Sequence, residues 1–228
     1  MGRCLPGDIC VFVESGRQID RFFRINPAYA INYLRDRFWE RRAIAVRYAP
    51  LQSLTELIQD EDEVVRRAVA YRLPTNQLQA LINDPDRDVR ITVAERLDLL
   101  QLEQLAADPD YLVRLTVAKR LPPGRLFRFI KDKDFQVRKT VAERLPEVSL
   151  GLMATDTSAD VRRIVAERMT AEELVVLLND DDWVVRYTAA LKVDPEYLTI
   201  LTDDPEPDVL EVVRQRLNLT TPTDAEHD

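Results

Sequence analysis

The stretch Asp84-Pro85-Asp86-Arg87-Asp88-Val89-Arg90-Ile91-Thr92-Val93-Ala94-Glu95-Arg96-Leu97 carries the folding pattern of this chain. Its opening predicts a helix start, with Asp84 as N-cap accepting from free backbone N–H groups and Pro85 in a first-turn position that needs no donor. At about 100° per residue, Val89, Val93, Leu97 and Ala94 fall on one apolar arc, and Glu95 and Asp88 lie opposite. Arg90 falls inside that arc, so its guanidinium requires a partner, and an aspartate is the natural one. Just upstream, Leu78, Leu81 and Ile82 supply barely more than one turn of apolar face, which predicts a second, very short helix.

On both sides of this stretch the pattern recurs with a fixed period of twenty-four. Aspartate stands at 36, 60, 84, 108, 132, 156, 180 and 204. Six positions later come Arg42, Arg66, Arg90, Arg114, Arg138, Arg162 and Arg186, failing only at Leu210. A valine precedes each arginine from Val65 to Val185 and stands again at Val209, with Arg41 as the atypical first member. Such a period predicts a solenoid whose units bury themselves on their neighbours, with degenerate ends. An aspartate–arginine ladder is expected to run between units. Two full helices and two turns do not fit in so short a unit at a rise of about 1.5 Å per residue, so one helix must be minimal, of the 3₁₀ kind.

The unit at 84–97 resembles the leucine-rich repeat variant family, and the resemblance covers residues 27–218. It implies an all-α, right-handed superhelical solenoid of eight 24-residue repeats, each pairing an α-helix with a 3₁₀-helix. HEAT-like repeats share the Asp-Pro and Val-Arg flavour, but their longer period fits this spacing poorly.

Composition agrees with the helical reading. The 228 residues are 46% hydrophobic with only five glycines, too few for the turns of an all-β chain. Net charge is −8, yet residues 1–50 carry nine arginines against five carboxylates, so the start is basic and the body acidic. An acidic body disfavours phosphate backbones. With no apolar run long enough for a signal or a membrane span, the chain is expected to be soluble and cytoplasmic. The lone histidine, His227, sits in a polar tail (219–228) expected to be disordered, which removes histidine-based catalysis. Nucleophile-elbow, phosphate-loop and dinucleotide signatures are missing, and periodic carboxylates read as caps and solvated faces, so no enzyme is expected.

Residues 1–26 precede the period and hold both cysteines, Cys4 and Cys10. Their spacing alone matches none of the strong zinc or ferredoxin patterns, and free thiols in a reducing compartment are the simpler reading. The resemblance adds a different expectation: some leucine-rich repeat variant proteins carry an N-terminal four-iron, four-sulfur domain, and this segment is similar to its end. Cys4 and Cys10 would then be two cluster ligands; the other two cysteines are absent from this sequence, so either they are expected upstream of Met1, the favoured reading, or this member has lost the cluster. Arg3 would offset cluster charge, and Pro6 and Gly7 would turn the backbone around it.

Two functional classes follow. The first is a non-enzymatic iron–sulfur repeat protein, a scaffold for a protein partner with a redox-active centre, which the resemblance links to nitrogen fixation. The second is a cluster-free solenoid that binds nucleic acid or another partner through a basic entrance of Arg17, Arg21, Arg24, Arg35, Arg37, Arg41 and Arg42. A column three positions after the repeat aspartate holds Tyr111, Phe135 and Trp183 beside the apolar arc. Covering the junction with the next repeat and offering rings to a partner both fit this placement.

Overall fold

The computed structural model describes residues 10–218. Cys4, His227 and the tail at 219–228 lie outside the described residues. The described residues form two compact units, divided between residues 120 and 121. Regular structure among the described residues of both is entirely helical.

In the N-terminal unit, α1 (Gly16–Ile25) leads into α2 (Trp39–Val46), α3 (Glu63–Arg72), α4 (Arg87–Arg96), the single turn α5 (Leu99–Leu102) and α6 (Tyr111–Arg120). Short 3₁₀ segments separate them, Thr75–Leu81 being typical. The C-terminal unit repeats the alternation with α7 (Phe135–Arg144), α8 (Ala159–Arg168), α9 (Trp183–Lys192) and α10 (Pro207–Leu217), and with 3₁₀ segments at Pro123–Phe129, Glu147–Met153, Glu173–Leu177 and Pro195–Leu201. Successive long helices pack side by side within each unit. This is the all-α repeat solenoid expected from the period, with the minimal helix in the 3₁₀ form.

The apolar arc is fully inside: Val89, Val93, Ala94 and Leu97 are buried, as are their equivalents Val137, Val141, Ala142 and Leu145. Leu78, Leu81 and Ile82 close the core from the 3₁₀ side. Each buried valine or leucine stabilises its unit by roughly 1.5–3 kcal/mol relative to exposure. The helices stop because the capping leucine turns extended: Leu73 and Leu145 precede prolines, which disfavour the α conformation in the residue before them. At α10 a different device ends the helix, Asn218 in the left-handed region with φ 54°.

One expectation is corrected. Asp84 does not cap α4, and Pro85 lies before the helix rather than in its first turn; Asp86 is the cap, accepting from Asp88 N at 2.9 Å and Val89 N at 3.1 Å. Asp62, Asp110, Asp134 and Asp182 do the same for their helices. Asp84 is engaged elsewhere. Its Oδ1 accepts the Asp86 N–H at 2.9 Å, and both its oxygens accept from Arg66 of the preceding repeat, Nε at 2.7 Å and Nη2 at 2.9 Å.

That bidentate fork is the expected ladder. It recurs as Arg42–Asp60 and Arg90–Asp108 in the N-terminal unit, and as Arg138–Asp156, Arg162–Asp180 and Arg186–Asp204 in the C-terminal one. The third guanidinium nitrogen donates back to the carbonyl of the arginine's own repeat aspartate, Arg66 Nη1 to Asp60 O at 2.8 Å. Each arginine therefore ties its own helix entry to the next one. Arg186 holds Asp204 below the usual carboxylate range against the opposing effect of burial, and Arg163 does the same for Asp182.

The ladder sets the expected response to mutation and to acid. Arg66→Met strips a buried carboxylate of its partner and is expected to cost about 3–5 kcal/mol, read from urea unfolding, whereas Arg35→Ala, which breaks the exposed pair with Glu56, should leave the midpoint unchanged. A depressed folded-state pKa stabilises above the unfolded value of about 3.9 and is lost as pH falls through the folded one. The melting temperature should accordingly hold steady from neutrality to about pH 4 and fall below it, and Asp204→Asn should flatten that fall.

Candidate functional site

The N-terminal end of the solenoid has its own chemistry. Asp36 is the first ladder aspartate, and the position that would supply its arginine, by the spacing of the Arg66–Asp84 rung, is Gln18. Arg41 takes over from within the same repeat, its Nη1 donating to both Asp36 oxygens at 2.9 Å. This explains why arginine interrupts the valine column there. The Arg41 guanidinium also lies 5.2 Å from the Phe38 ring centroid and 5.9 Å from that of Phe12, a cation–π arrangement. Phe12 meets Tyr33 edge-on at 6.4 Å, and neighbouring Val11 is buried. The segment just after Cys10 is thereby docked on the first repeat.

Cys10 itself is half-buried and free, while Cys4 lies outside the described residues. A four-iron, four-sulfur cluster takes four thiolates. The described residues supply one of them, and no group of three or more His, Cys, Asp or Glu among them is placed to hold a metal ion. The described residues therefore do not make up a cluster's ligand set by themselves.

The arginines of the basic entrance have mostly structural partners. Arg42 is buried on Asp60, Arg41 is engaged with Asp36, Arg24 pairs with Asp20 at 2.6 Å and Arg35 with Glu56 at 2.5 Å. Asp20 also accepts from the Tyr48 hydroxyl at 2.9 Å, joining α1 to the turn that follows α2. What spacing presents as one basic surface is divided by the fold between interior pairs and exposed bridges.

Tyr111, Phe135 and Trp183 are the first residues of α6, α7 and α9. Tyr111 is half-buried, while Phe135 and Trp183 remain exposed. Trp183 meets Tyr187 edge-on at 6.4 Å, one turn along the same helix. Their placement at helix entries, with much of each ring in solvent, suits both the covering and the presenting role. Trp39, absent from the column as read in sequence, opens α2 in the same register and is also exposed; counting back in whole repeats from Tyr111 finds it.

A second periodic column escaped the sequence reading. Arg72, Arg96, Arg120, Arg168, Lys192 and Arg216 are separated by whole repeats, each near a helix end. Each reaches back to the carbonyls that end the previous repeat's helix: Arg96 Nη1 donates to Ala70 O at 2.5 Å and Leu73 O at 2.8 Å, and Lys192 Nζ to Ala166, Glu167 and Met169. A helix leaves its last carbonyls without intrahelical donors, and a cation there also suits the helix dipole. The signal was present as a periodic cation in the last helical turn.

Comparison with known proteins agrees with this architecture. The sequence profile described as Leucine rich repeat variant matches residues 87–110. A solved structure described as a leucine-rich repeat variant with a novel repetitive protein structural motif is 63% identical, covers 93% of this chain and 91% of its own, and superposes with a TM-score of 0.87. A Rhodobacter capsulatus relative, the uncharacterized 27.7 kDa protein in the nifB 3′ region, is 38% identical over 73 residues. That match spans 32% of this chain and 30% of the relative's length. No helix among the described residues is long and apolar enough to cross a membrane. With the ladder, the paired α- and 3₁₀-helices and an identity of 63% across nearly the whole of both chains, the protein belongs to the leucine-rich repeat variant family.

Proposed function

We propose that this chain is a non-enzymatic interaction scaffold, and that its N-terminal segment is the end of a cysteine-ligated iron–sulfur domain. The observation that carries the scaffold reading is the division of labour in the repeat. Its buried charges are engaged in holding neighbours together, as Arg66, Asp84 and Arg96 illustrate, and the same register sets large side chains at regular exposed positions. A periodic surface of that kind fits an extended protein partner. The aromatic column is the first candidate contact. Tyr111→Ser, Phe135→Ser and Trp183→Ser together should weaken retention of the partner in affinity purification at least tenfold while leaving the melting temperature in place; a drop in melting temperature with retention intact would assign the rings to packing instead.

The iron–sulfur part rests on Cys4 and Cys10, and a four-iron cluster would need two further thiolates. When bound, such a cluster supplies one-electron chemistry. The docking of Val11 and Phe12 on the first repeat would tie such a domain to the solenoid. A relative named for the nifB 3′ region is the support for a link to nitrogen fixation. Two in-frame cysteine codons before Met1, and iron and sulfide in the anaerobically purified product of the extended gene, are the expected results. A stop codon and ribosome site directly before Met1 would overturn the cluster.

A further inference from the structure

The 3₁₀ segments of the C-terminal unit expose a ridge that packing does not require. Leu152, Val176 and Ile200 occupy the same repeat position in three successive repeats and are 60%, 67% and 49% exposed. The same position carries Asn32, Glu56, Ala80 and Gln104 in the N-terminal unit, and Arg128 in the first repeat of the C-terminal one. The fold therefore accepts polar, charged or small residues there, and the apolar run belongs to the last three repeats alone. Leu152 and Val176 lie beside the ladder. Val176 lines an open groove with Thr155, Arg162 and Asp180, and Leu152 lines another with Arg138 and Asp156, so a buried arginine–aspartate pair borders each apolar wall.

The charge around the ridge identifies what would cover it. Residues 170–211 hold twelve carboxylates and two cations, and both cations point inward: Arg186 is held by Asp204, and the Lys192 ammonium donates to three backbone carbonyls of the preceding repeat. Glu172, Asp181, Asp194, Glu196, Asp203 and Asp208 are exposed on these same repeats. On the 3₁₀ turn that carries Val176, the Oε2 atom of Glu173 is buried with no hydrogen-bond donor. Asp180, Asp182 and Asp204 are paired with Arg162, Arg163 and Arg186, and the remaining exposed carboxylates beside Val176 and Ile200 repel anionic lipid and nucleic acid and attract a cation-bearing apolar surface.

We propose that this ridge docks a cationic amphipathic segment of a partner protein, its apolar face on Leu152, Val176 and Ile200 and its lysines or arginines against the flanking carboxylates. This rests on the scaffold reading and gives the partner its chemistry.

The test is a fluorescence anisotropy titration of the full chain with a labelled synthetic helix of leucine and lysine that has one apolar face. Saturable binding that weakens as salt rises is expected. Val176→Ser with Ile200→Ser should weaken it at least tenfold without moving the melting temperature. Glu172→Gln, Glu196→Gln and Asp203→Asn together should weaken it comparably and flatten its salt dependence, while Ala80→Ser should change nothing. Absence of binding, equal affinity of the ridge variant, or equal affinity of a peptide with serine in place of leucine would overturn the proposal. So would a wild-type dimer in sedimentation equilibrium that the ridge variant abolishes, since a second copy would then be the occupant. A failed titration alongside partner loss in the aromatic variant would sink the ridge and leave the scaffold standing.

Discussion

Everything in the repeat depends on one arginine being held from three sides. A guanidinium has a planar fork of donors, and here two of them grip the carboxylate of the next repeat while the third grips a backbone carbonyl of its own. Lysine could not do this with a single point charge. Because the fork spans two repeats, the same side chain orients a helix entry and sets the spacing to its neighbour. The aspartate in turn accepts the N–H two positions on at its Oδ1, and a second aspartate two positions later caps the helix.

The column of cations near the helix ends completes the arrangement. Ten-residue helices have a large fraction of their carbonyls at an end, and so short a repeat has no room for a glycine-based C-cap motif at each one. Arg96, Arg120 and Lys192 supply the donors from the following repeat instead. Within each unit, neighbouring repeats are thus bonded near both helix ends as well as through the apolar arc. A repeat in this fold has little polar satisfaction of its own and acquires it from the repeat beside it, which is why the terminal units depart from consensus. Arg41 shows the departure most clearly: with no arginine available from before, the repeat turns one of its own residues onto Asp36.

With the periodic charges engaged in stacking, some large apolar side chains remain exposed and take no part in joining the repeats. The apolar run at Leu152, Val176 and Ile200 and the exposed rings of Phe135 and Trp183 belong to that class. Each is a position where the fold tolerates many side chains and this chain carries a large apolar one.

The period, the helical class, the buried arc and the need for an arginine partner were all legible in one dimension, because each follows from residue type at fixed spacing. The aromatic column was legible as a column, though not its first member, Trp39. Which aspartate caps and which one pairs was not legible. Asp84 and Asp86 are chemically identical and two positions apart, and only the approach of Arg66 from the preceding repeat separates them. The basic entrance likewise looked like a surface until the fold carried Arg41 and Arg42 onto aspartates. Tertiary structure decided these points because a side chain's partner depends on what the neighbouring repeat brings within hydrogen-bond reach, and linear spacing records only that a partner is required.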